Sequence, residues 1–295
     1  MFTWSENPMV DMWNHIKFFR NEYNCKRLLK GDIKSQRNLI YEDGENLGKK
    51  VKQITMSINQ AIEYFEAADH CSINTSPLLY FYGMLSLAKA LIVANVKNIF
   101  LDDIKYHGLE TRPKTESLRA YNRNPSLWNM ENEYAVTNDG VFKYLCELLG
   151  MGVFQNGSVI RFKDILSICP EISNMYEKYY NEPSKILYLY KHEIISKSPY
   201  KIKISFETTD KEAIYNIFPE LKGDFDISPS LLYGQALEFI SHDLPEKPEY
   251  YSLFNPLIGG KYVISGLPYE IEDCNKKQVI SQVAADYLAM FILSI

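Results

Sequence analysis

Residues Ser76–Val96 have the sequence SPLLYFYGMLSLAKALIVANV, a nearly continuous apolar run with a helix start signal at its first two residues. We expect the Ser76 side chain to cap the helix and Pro77 to occupy the first turn, where a missing N–H costs nothing. Only one glycine, one serine and Lys89 interrupt the apolar residues between 78 and 94. Because such a helix is apolar on nearly every side, the stretch predicts a buried central helix.

The same stretch is also nearly long enough to span a bilayer. Lys89 lies deep inside it, however, and a lysine at a helix centre costs roughly 2.5 to 3.5 kcal/mol on membrane insertion. Charged and tyrosine residues on both flanks suit a globular interior, so we expect a core helix and no membrane. We interpret Ser86 and Lys89 as marking the side of the helix that faces solvent or a polar neighbour, in preference to the alternative that they have a catalytic role.

A second helix is predicted from Leu47 to Ala68, with lysines on the outside and an apolar stripe inside. The stripe consists of Val51, Ile54, Ile58, Ile62 and Phe65. The polar link between the two helices is short, so they should pack as an antiparallel hairpin. Small residues on the central helix, Gly83, Ser86 and Ala90, would permit another helix to approach closely.

Other signals place elements along the rest of the chain. They predict a helix at Asp11–Leu29 ended by Gly31, a loop at Ile99–Arg123, a strand at Tyr134–Thr137, a helix at Val141–Leu149, a hairpin within Ser184–Glu207 around Ser198-Pro199, a helix start at Ser228-Pro229 and a buried helix at Asn275–Ile295.

These elements predict a predominantly helical α+β fold. An N-terminal helical hairpin or bundle surrounds the buried central helix, and the C-terminal half contributes a few strands. The sequence divides into a helical half at 1–125 and a mixed half at 126–295 that closes with the final helix. Because the closing helices are too apolar to stand alone, we expect both halves to share one core.

Composition limits the classes of function. The 32 basic and 37 acidic residues give a formal charge of −5, which argues against wholesale wrapping of nucleic acid or of an anionic membrane. The five cysteines are scattered and never within CxxC reach, so they indicate neither a zinc site nor a disulfide framework. The first residues lack the basic start and apolar run of a signal peptide, and we therefore expect a cytoplasmic protein.

Strong catalytic motifs are absent from the sequence. It contains no GxxxxGK[ST] phosphate loop, no GxGxxG after a strand, no GxSxG elbow and no HExxH. The five histidines are far apart in sequence, and none pairs with another at metal-ligand spacing. We expect neither a metal nor a cofactor.

The most informative polar segment is KYHGLETRPKTESLRAYNR, residues Lys105–Arg123. Its basic residues outnumber its acidic ones in a chain that is acidic overall, and tyrosines beside them could stack on a base. The candidate ligand-binding residues are Lys105, Tyr106, Lys114, Arg119 and Arg123, and the candidate catalytic residues are His107 and Arg112. Two interpretations remain open at this point. Either the charges are solvated and Arg112 holds the loop to a carboxylate, or the segment binds a phosphate-bearing or other anionic ligand.

Three sequence motifs resemble those of the YaaC-like family of bacterial proteins. The pattern PLLxFYGxxxLxKA matches Pro77–Ala90, HGxxTR matches His107–Arg112, and G-(L/V)-F matches Gly140–Phe142, in the family's order and approximate spacing. The resemblance implies a fold and a bacterial cytoplasmic compartment. It implies no reaction, because the family's biochemical activity is unassigned.

The predicted hairpin is also similar to HEPN domains, many of which are ribonucleases or partners of nucleotidyltransferases in toxin and antiphage systems. The active motif of that group is an arginine, then four to six intervening residues, then a histidine. No arginine in this chain precedes a histidine at that spacing, and His107 comes before Arg112. The pattern therefore disfavours a nuclease of the HEPN type.

Two functional hypotheses follow. The first is a cytosolic binding or regulatory protein, for example a subunit of an antiphage-defence system, that acts through homo-oligomerisation or a protein partner. The alternative is an enzyme that acts on RNA or a nucleotide, with His107 as general acid or base and Arg112 on a phosphate. Loss of activity in His107→Ala would favour the enzyme, and an assembly that binds without turnover would favour the first hypothesis.

Overall fold

A computed structural model of the chain places the central apolar stretch in one helix, Ser76–Asn95. The structure describes residues 7–31, 40–42, 44–111, 133–151, 156–217, 221–229, 236–245, 255–256, 262–265, 268–270 and 277–295. Its helices are α1 Pro8–Phe18, α2 Glu22–Leu29, α3 Glu45–His70, α4 Ser76–Asn95, α5 Val141–Leu148, α6 Phe162–Leu166, α7 Ser173–Tyr180, α8 Lys211–Ile217 and α9 Gln282–Leu293. The strands are β1 Leu109–Thr111, β2 Tyr134–Thr137, β3 Val159–Arg161, β4 Ile186–Lys197, β5 Tyr200–Phe206, β6 Phe225–Pro229, β7 Leu237–Ser241, β8 Asn255–Pro256, β9 Tyr262–Ser265, β10 Pro268–Glu270 and β11 Lys277–Val279. The fold is α+β and predominantly helical, as predicted.

Helices α3 and α4 form the predicted antiparallel hairpin. Most of the apolar stripe of α3 is buried, and it packs with Val93 and Ala94 of α4. The close approach predicted at Gly83 is confirmed, because a Cβ atom there would lie 2.7 Å from the ring of Phe65. The predicted cap is wrong: Thr75 occupies the position before the helix, and no side chain caps it.

Lys50 differs from the prediction that the lysines of α3 lie outside. Its side chain is fully buried, whereas Lys49 and Lys52 are exposed. The ammonium donates hydrogen bonds to the carbonyl oxygens of Val93, Val96 and Ile99 at 2.8, 2.9 and 2.7 Å. Because carbonyls at the end of a helix lack partners within it, one cation satisfies three acceptors where α4 ends and the chain leaves it.

The predicted single helix at Asp11–Leu29 is two helices. The side chain of Asn21 accepts hydrogen bonds from the backbone N–H groups of Tyr23 and Asn24 at 2.9 and 3.4 Å, so it caps a new helix, α2, at that point. The predicted stop is confirmed, because Gly31 follows α2 with a φ angle of +79°.

Strands β1, β2 and β3 form a small sheet in that order. Leu109 of β1 pairs with Thr137 of β2 in an antiparallel register. The predictions of β2 and α5 are confirmed, whereas β1 replaces part of the loop predicted at Ile99–Arg123. The strand forms because Leu109 is buried and β2 supplies partners for the backbone of β1.

The six-stranded sheet has the strand order β6-β7-β5-β4-β9-β8. The hairpin of β4 and β5 around Ser198-Pro199 is confirmed. The helix predicted to start at Ser228-Pro229 is wrong, because β6 pairs there with β7 as an edge strand. Phe225 and Ile227 are two residues apart on β6, and both pack with the buried apolar residues of β4, β5 and β7. This spacing is the period of a strand and not of a helix. Pro229 is tolerated because it ends an edge strand.

The final helix is shorter than predicted. Strands β10 and β11 form a separate antiparallel pair, and β11 occupies the first part of the predicted Asn275–Ile295 helix. Ser281 marks the true start, since its side-chain oxygen accepts a hydrogen bond from the N–H of Ala284 at 3.4 Å.

Two compact units are distinguished in the described residues. The first contains the chain up to Leu148, residues 156–160 and Tyr287–Ile295, and the second contains 149–151 and Arg161–Asp286. The predicted boundary at 125 lies outside the described residues. A single shared core for both halves stays a prediction.

Among the described residues, one helix is long and apolar enough to cross a membrane by length and composition, Ser76–Asn95. Half of its apolar window is buried in the protein, and a buried core helix passes the same test. This feature is therefore weak evidence for a membrane span.

Candidate functional site

The turn that precedes β1 carries His107. Lys105 and Tyr106 are exposed here, His107 is half-buried and Gly108 is buried. Gly108 has a φ angle of +83°, and a Cβ atom on it would lie 3.1 Å from the carbonyl oxygen of Asn138. The turn therefore requires glycine at this position for both its backbone angle and its packing.

Backbone hydrogen bonds join this turn to the start of α5. The N–H groups of Val141 and Phe142 donate to the carbonyl oxygens of Tyr106 and His107 at 3.1 and 3.0 Å. A Cβ atom on Gly140 would lie 2.5 Å from the oxygen of Tyr106, so the two segments pack backbone to backbone. These bonds use the first two N–H groups of α5, which a helix otherwise offers to an anion.

The His107 ring lies among aromatic side chains. Its centroid is 6.0 Å from that of Phe81 and 5.4 Å from that of Phe291. Its Nδ1 atom accepts a hydrogen bond from the N–H of Leu109 at 3.2 Å. A neutral imidazole that accepts at Nδ1 carries its proton at Nε2, so the ring has one remaining donor.

Charge around His107 is unusual because it is positive. Burial lowers the pKa of His107, and the nearby Lys89 ammonium lowers it further. Burial also lowers the pKa of Lys89. No carboxylate in the described part of the chain counters either shift.

Lys89 is a further functional candidate, although its sequence pattern favours a polar-facing role over a catalytic one. It is the only charged residue of α4 and is half-buried there. Within the part of the chain that the structure describes, Lys89 has no hydrogen bond or ion pair. The available signal was a single cation in an apolar helix, which we interpreted as marking a polar side. That interpretation overlooked the desolvation of an ammonium without a partner.

An aromatic cluster lines the inner side of the site. The ring centroids of Phe81 and Tyr287 are 5.4 Å apart, and those of Phe142 and Tyr287 are 5.7 Å apart. The Tyr287 hydroxyl is buried and has no hydrogen-bond partner among the described groups. Burial raises the pKa of Tyr287, so this hydroxyl stays protonated near neutral pH.

The structure therefore brings together the three motif segments of the sequence. Phe81 and Lys89 come from α4, His107 from the turn before β1, and Phe142 from α5. Of the other predicted site residues, Lys105 and Tyr106 are exposed beside His107, Tyr106 at 71%. The remaining ones lie outside the described residues: Arg112, Lys114, Arg119 and Arg123.

The candidate site offers two nitrogen donors, on Lys89 and His107, and neither has an acidic partner among the described residues. An ammonium and an Nε2–H group beside aromatic rings favour a small anion, which would supply the missing negative charge. A general base at His107 would need an unprotonated Nε2, whereas the observed hydrogen bond holds the proton there. No three His, Cys, Asp or Glu side chains of the described residues come together as a possible metal site.

Comparison with known proteins gives one result. No curated protein matches the chain. No solved structure matches it either. The family model described as YaaC-like Protein matches residues 17–295, nearly the whole chain. The matched residues include the three motifs that meet around His107, and the chain belongs to the YaaC-like family.

Proposed function

We propose that this protein is a cytosolic binding or regulatory protein of a bacterial system, and that Lys89 and His107 together receive a small anionic ligand. The observation that supports this proposal is that Lys89 and His107 are both half-buried and that no carboxylate of the described residues offsets the lowering of their pKa values. A surface lysine is solvated by water, but the half-buried Lys89 loses part of that solvation. A bound anion would restore favourable electrostatics for Lys89 and for the imidazole beside it.

The residues before His107 suggest a phosphate-bearing ligand. Lys105 is exposed next to His107, and the exposed ring of Tyr106 offers a face on which a base could stack. The segment continues towards Arg112, whose planar fork suits phosphate oxygens. A nucleotide or a short RNA thus fits the chemistry of the segment.

Action through association is the second part of the proposal. The chain would form a homo-oligomer or bind a protein partner, as a subunit of an antiphage-defence system would, and ligand binding at Lys89 would regulate that association. Light scattering after size-exclusion chromatography, with and without ligand, measures the assembly directly. A strict monomer that captures nothing from its native host would overturn this part.

Calorimetry with a panel of anions tests the ligand site. The probes are inorganic phosphate, pyrophosphate, AMP and a short RNA at two salt concentrations, with the wild type, Lys89→Met and Arg112→Ala. Lys52→Met, which changes an exposed lysine of α3, is the matched control. We expect binding that weakens as salt rises and that is lost in Lys89→Met but not in the control. Absence of binding at low salt, or equal binding by a folded Lys89→Met, would overturn the proposal.

An enzyme that acts on RNA or a nucleotide is the second candidate. The specific observation in its favour is that His107 is held neutral with a donor at Nε2, which can stabilise negative charge on a leaving oxygen through a hydrogen bond without giving up its proton. Arg112 would steady the phosphate. The test is His107→Ala: unchanged nucleotide or RNA cleavage by a folded variant would eliminate this candidate.

A further inference from the structure

Lys89 has the surroundings of a chemically reactive lysine. Its neighbours in α4, Ala88 and Ala90, are 5% and 6% exposed, so the stem of Lys89 rises from a buried part of the helix. The amine is half-buried and has no hydrogen-bond acceptor among the described groups. The buried Lys50, in contrast, donates hydrogen bonds to three carbonyl oxygens.

The difference in surroundings changes the protonation of the amine. An ammonium without an acceptor in a partly apolar site is disfavoured, so Lys89 spends more time as the neutral amine than an exposed lysine does. The neutral amine is a nucleophile. Lysines that are desolvated in this way form imines with carbonyl substrates.

We propose that Lys89 condenses reversibly with a carbonyl group of the anionic ligand. The inference deepens the proposed function and rests on it, because the anion brings the carbonyl to Lys89. The ligand class is a small anion that carries an aldehyde or ketone close to its negative charge, such as a 2-oxo acid. The product keeps a positive charge, which the ligand's own anionic group then pairs.

The step balances without any oxidant or reductant. The neutral amine of Lys89 attacks the carbonyl carbon, a C–N bond forms, and a proton moves from nitrogen to oxygen. A proton from solvent adds to that oxygen, the C–O bond breaks, and water leaves. The nitrogen becomes a protonated imine, while the neutral His107 keeps its proton and only donates a hydrogen bond from Nε2–H to the departing oxygen.

Reductive trapping tests the inference on the intact protein. The full chain is incubated at pH 7.5 with glyoxylate and cyanoborohydride, and the modified lysines are quantified by peptide mass spectrometry. We expect Lys89 to be labelled faster than the exposed Lys52 and Lys97, which lie outside the candidate site, because the lowered pKa of Lys89 raises its fraction of neutral amine. Labelling of Lys89 that is no faster than that of the exposed lysines would overturn the inference. This comparison lies within one protein, so it does not depend on a variant that folds.

A matched ligand separates this inference from the proposed function. Glycolate has the charge and approximate size of glyoxylate but no carbonyl. It should slow the labelling of Lys89 without being trapped, and Lys89→Arg should abolish trapping while keeping a cation at the site. If glyoxylate is not trapped at Lys89 while the calorimetric panel shows anion binding that is lost in Lys89→Met, the inference fails and the anion site stands. If neither acts at Lys89 and the calorimetric panel shows no binding, both fail.

Discussion

The imidazole of His107 meets the ring of Phe81 edge-on, with centroids 6.0 Å apart and planes at 84°. This contact joins the apolar helix α4 to the turn that carries the most distinctive polar residue of the family motifs. Phe81 is 3% exposed, so His107 is held against a buried residue. The same helix carries Lys89 two turns later, and the geometry of the candidate site follows from these two positions.

The backbone contact between the turn and α5 gives the first prediction. Gly140→Ala should destabilise the protein strongly, because its Cβ would overlap backbone atoms of Tyr106 and Gly108 that cannot move aside. Gly48→Ala in α3 is the control, since a Cβ there meets nothing within 4 Å and should stabilise the helix by about 0.5–1 kcal/mol. Urea unfolding of both variants measures the effect. A neutral Gly140→Ala would contradict the close backbone packing.

Lys50 gives the second prediction. Lys50→Met keeps the length of the stem but leaves three carbonyl oxygens without their donor, so it should cost about 2–4 kcal/mol of unfolding free energy. Lys52→Met is the exposed control and should stay within about 0.5 kcal/mol of the wild type. Hydrogen exchange should also speed up at the amides that follow Val93. Equal stability of the two variants would show that the buried ammonium is not needed.

Asp286 gives a pH dependence. Burial, and then the charge of Glu171, raise its pKa from 3.8 to about 7, while a hydrogen bond from Cys169 acts in the opposite direction. The folded protein therefore binds more protons than the unfolded chain between these values. The contribution of Asp286 to the free energy of unfolding is largest below pH 4, falls as pH rises to about 7, and is constant above that.

The variant that tests this titration is Asp286→Asn, which cannot ionise. Its unfolding free energy relative to the wild type should rise between pH 4 and 7, by no more than about 4 kcal/mol. The control is Asp224→Asn at an exposed position. A difference between Asp286→Asn and wild type that does not depend on pH would refute the assignment.

Lys89 should also control the titration of His107. The Lys89 charge contributes to the lowered pKa of His107, so Lys89→Met should raise that pKa towards the usual value. Nitrogen-detected NMR of the imidazole measures both the pKa and the expected proton at Nε2. Lys105→Met, which removes an exposed lysine two residues from His107, should leave the pKa unchanged. If Lys105→Met has the larger effect, the pairing of Lys89 with His107 is wrong.

The parts of the fold that follow from local patterns could be predicted from the sequence. The apolar stripe of α3, the apolar length of α4 and the alternation of residue types in β4 and β5 each indicate which residues of that element are buried. The wrong predictions concern segments whose structure depends on a residue elsewhere in the chain or on a competing local signal. Asn21 breaks the first helix by capping a new one, and Ser228-Pro229 reads as a helix start only while its pairing with β7 is unknown.

The same distinction applies to the candidate site. His107 was predicted because it lies in an unusual polar segment. Lys89 was not, because its significance depends on burial and on a histidine eighteen residues away, which no local pattern records. Lys50 shows the same limit, since only the end of α4 explains a buried cation in α3.

The most direct test of the shared anion site is the titration of His107 in the presence of an anion. The pKa of the His107 imidazole is measured by NMR with and without pyrophosphate, in the wild type and in Lys89→Met. If Lys89 and His107 bind one anion together, pyrophosphate raises the pKa of His107 in the wild type and does not do so in Lys89→Met. An unchanged His107 pKa in the wild type, or the same rise in both proteins, would contradict the shared site.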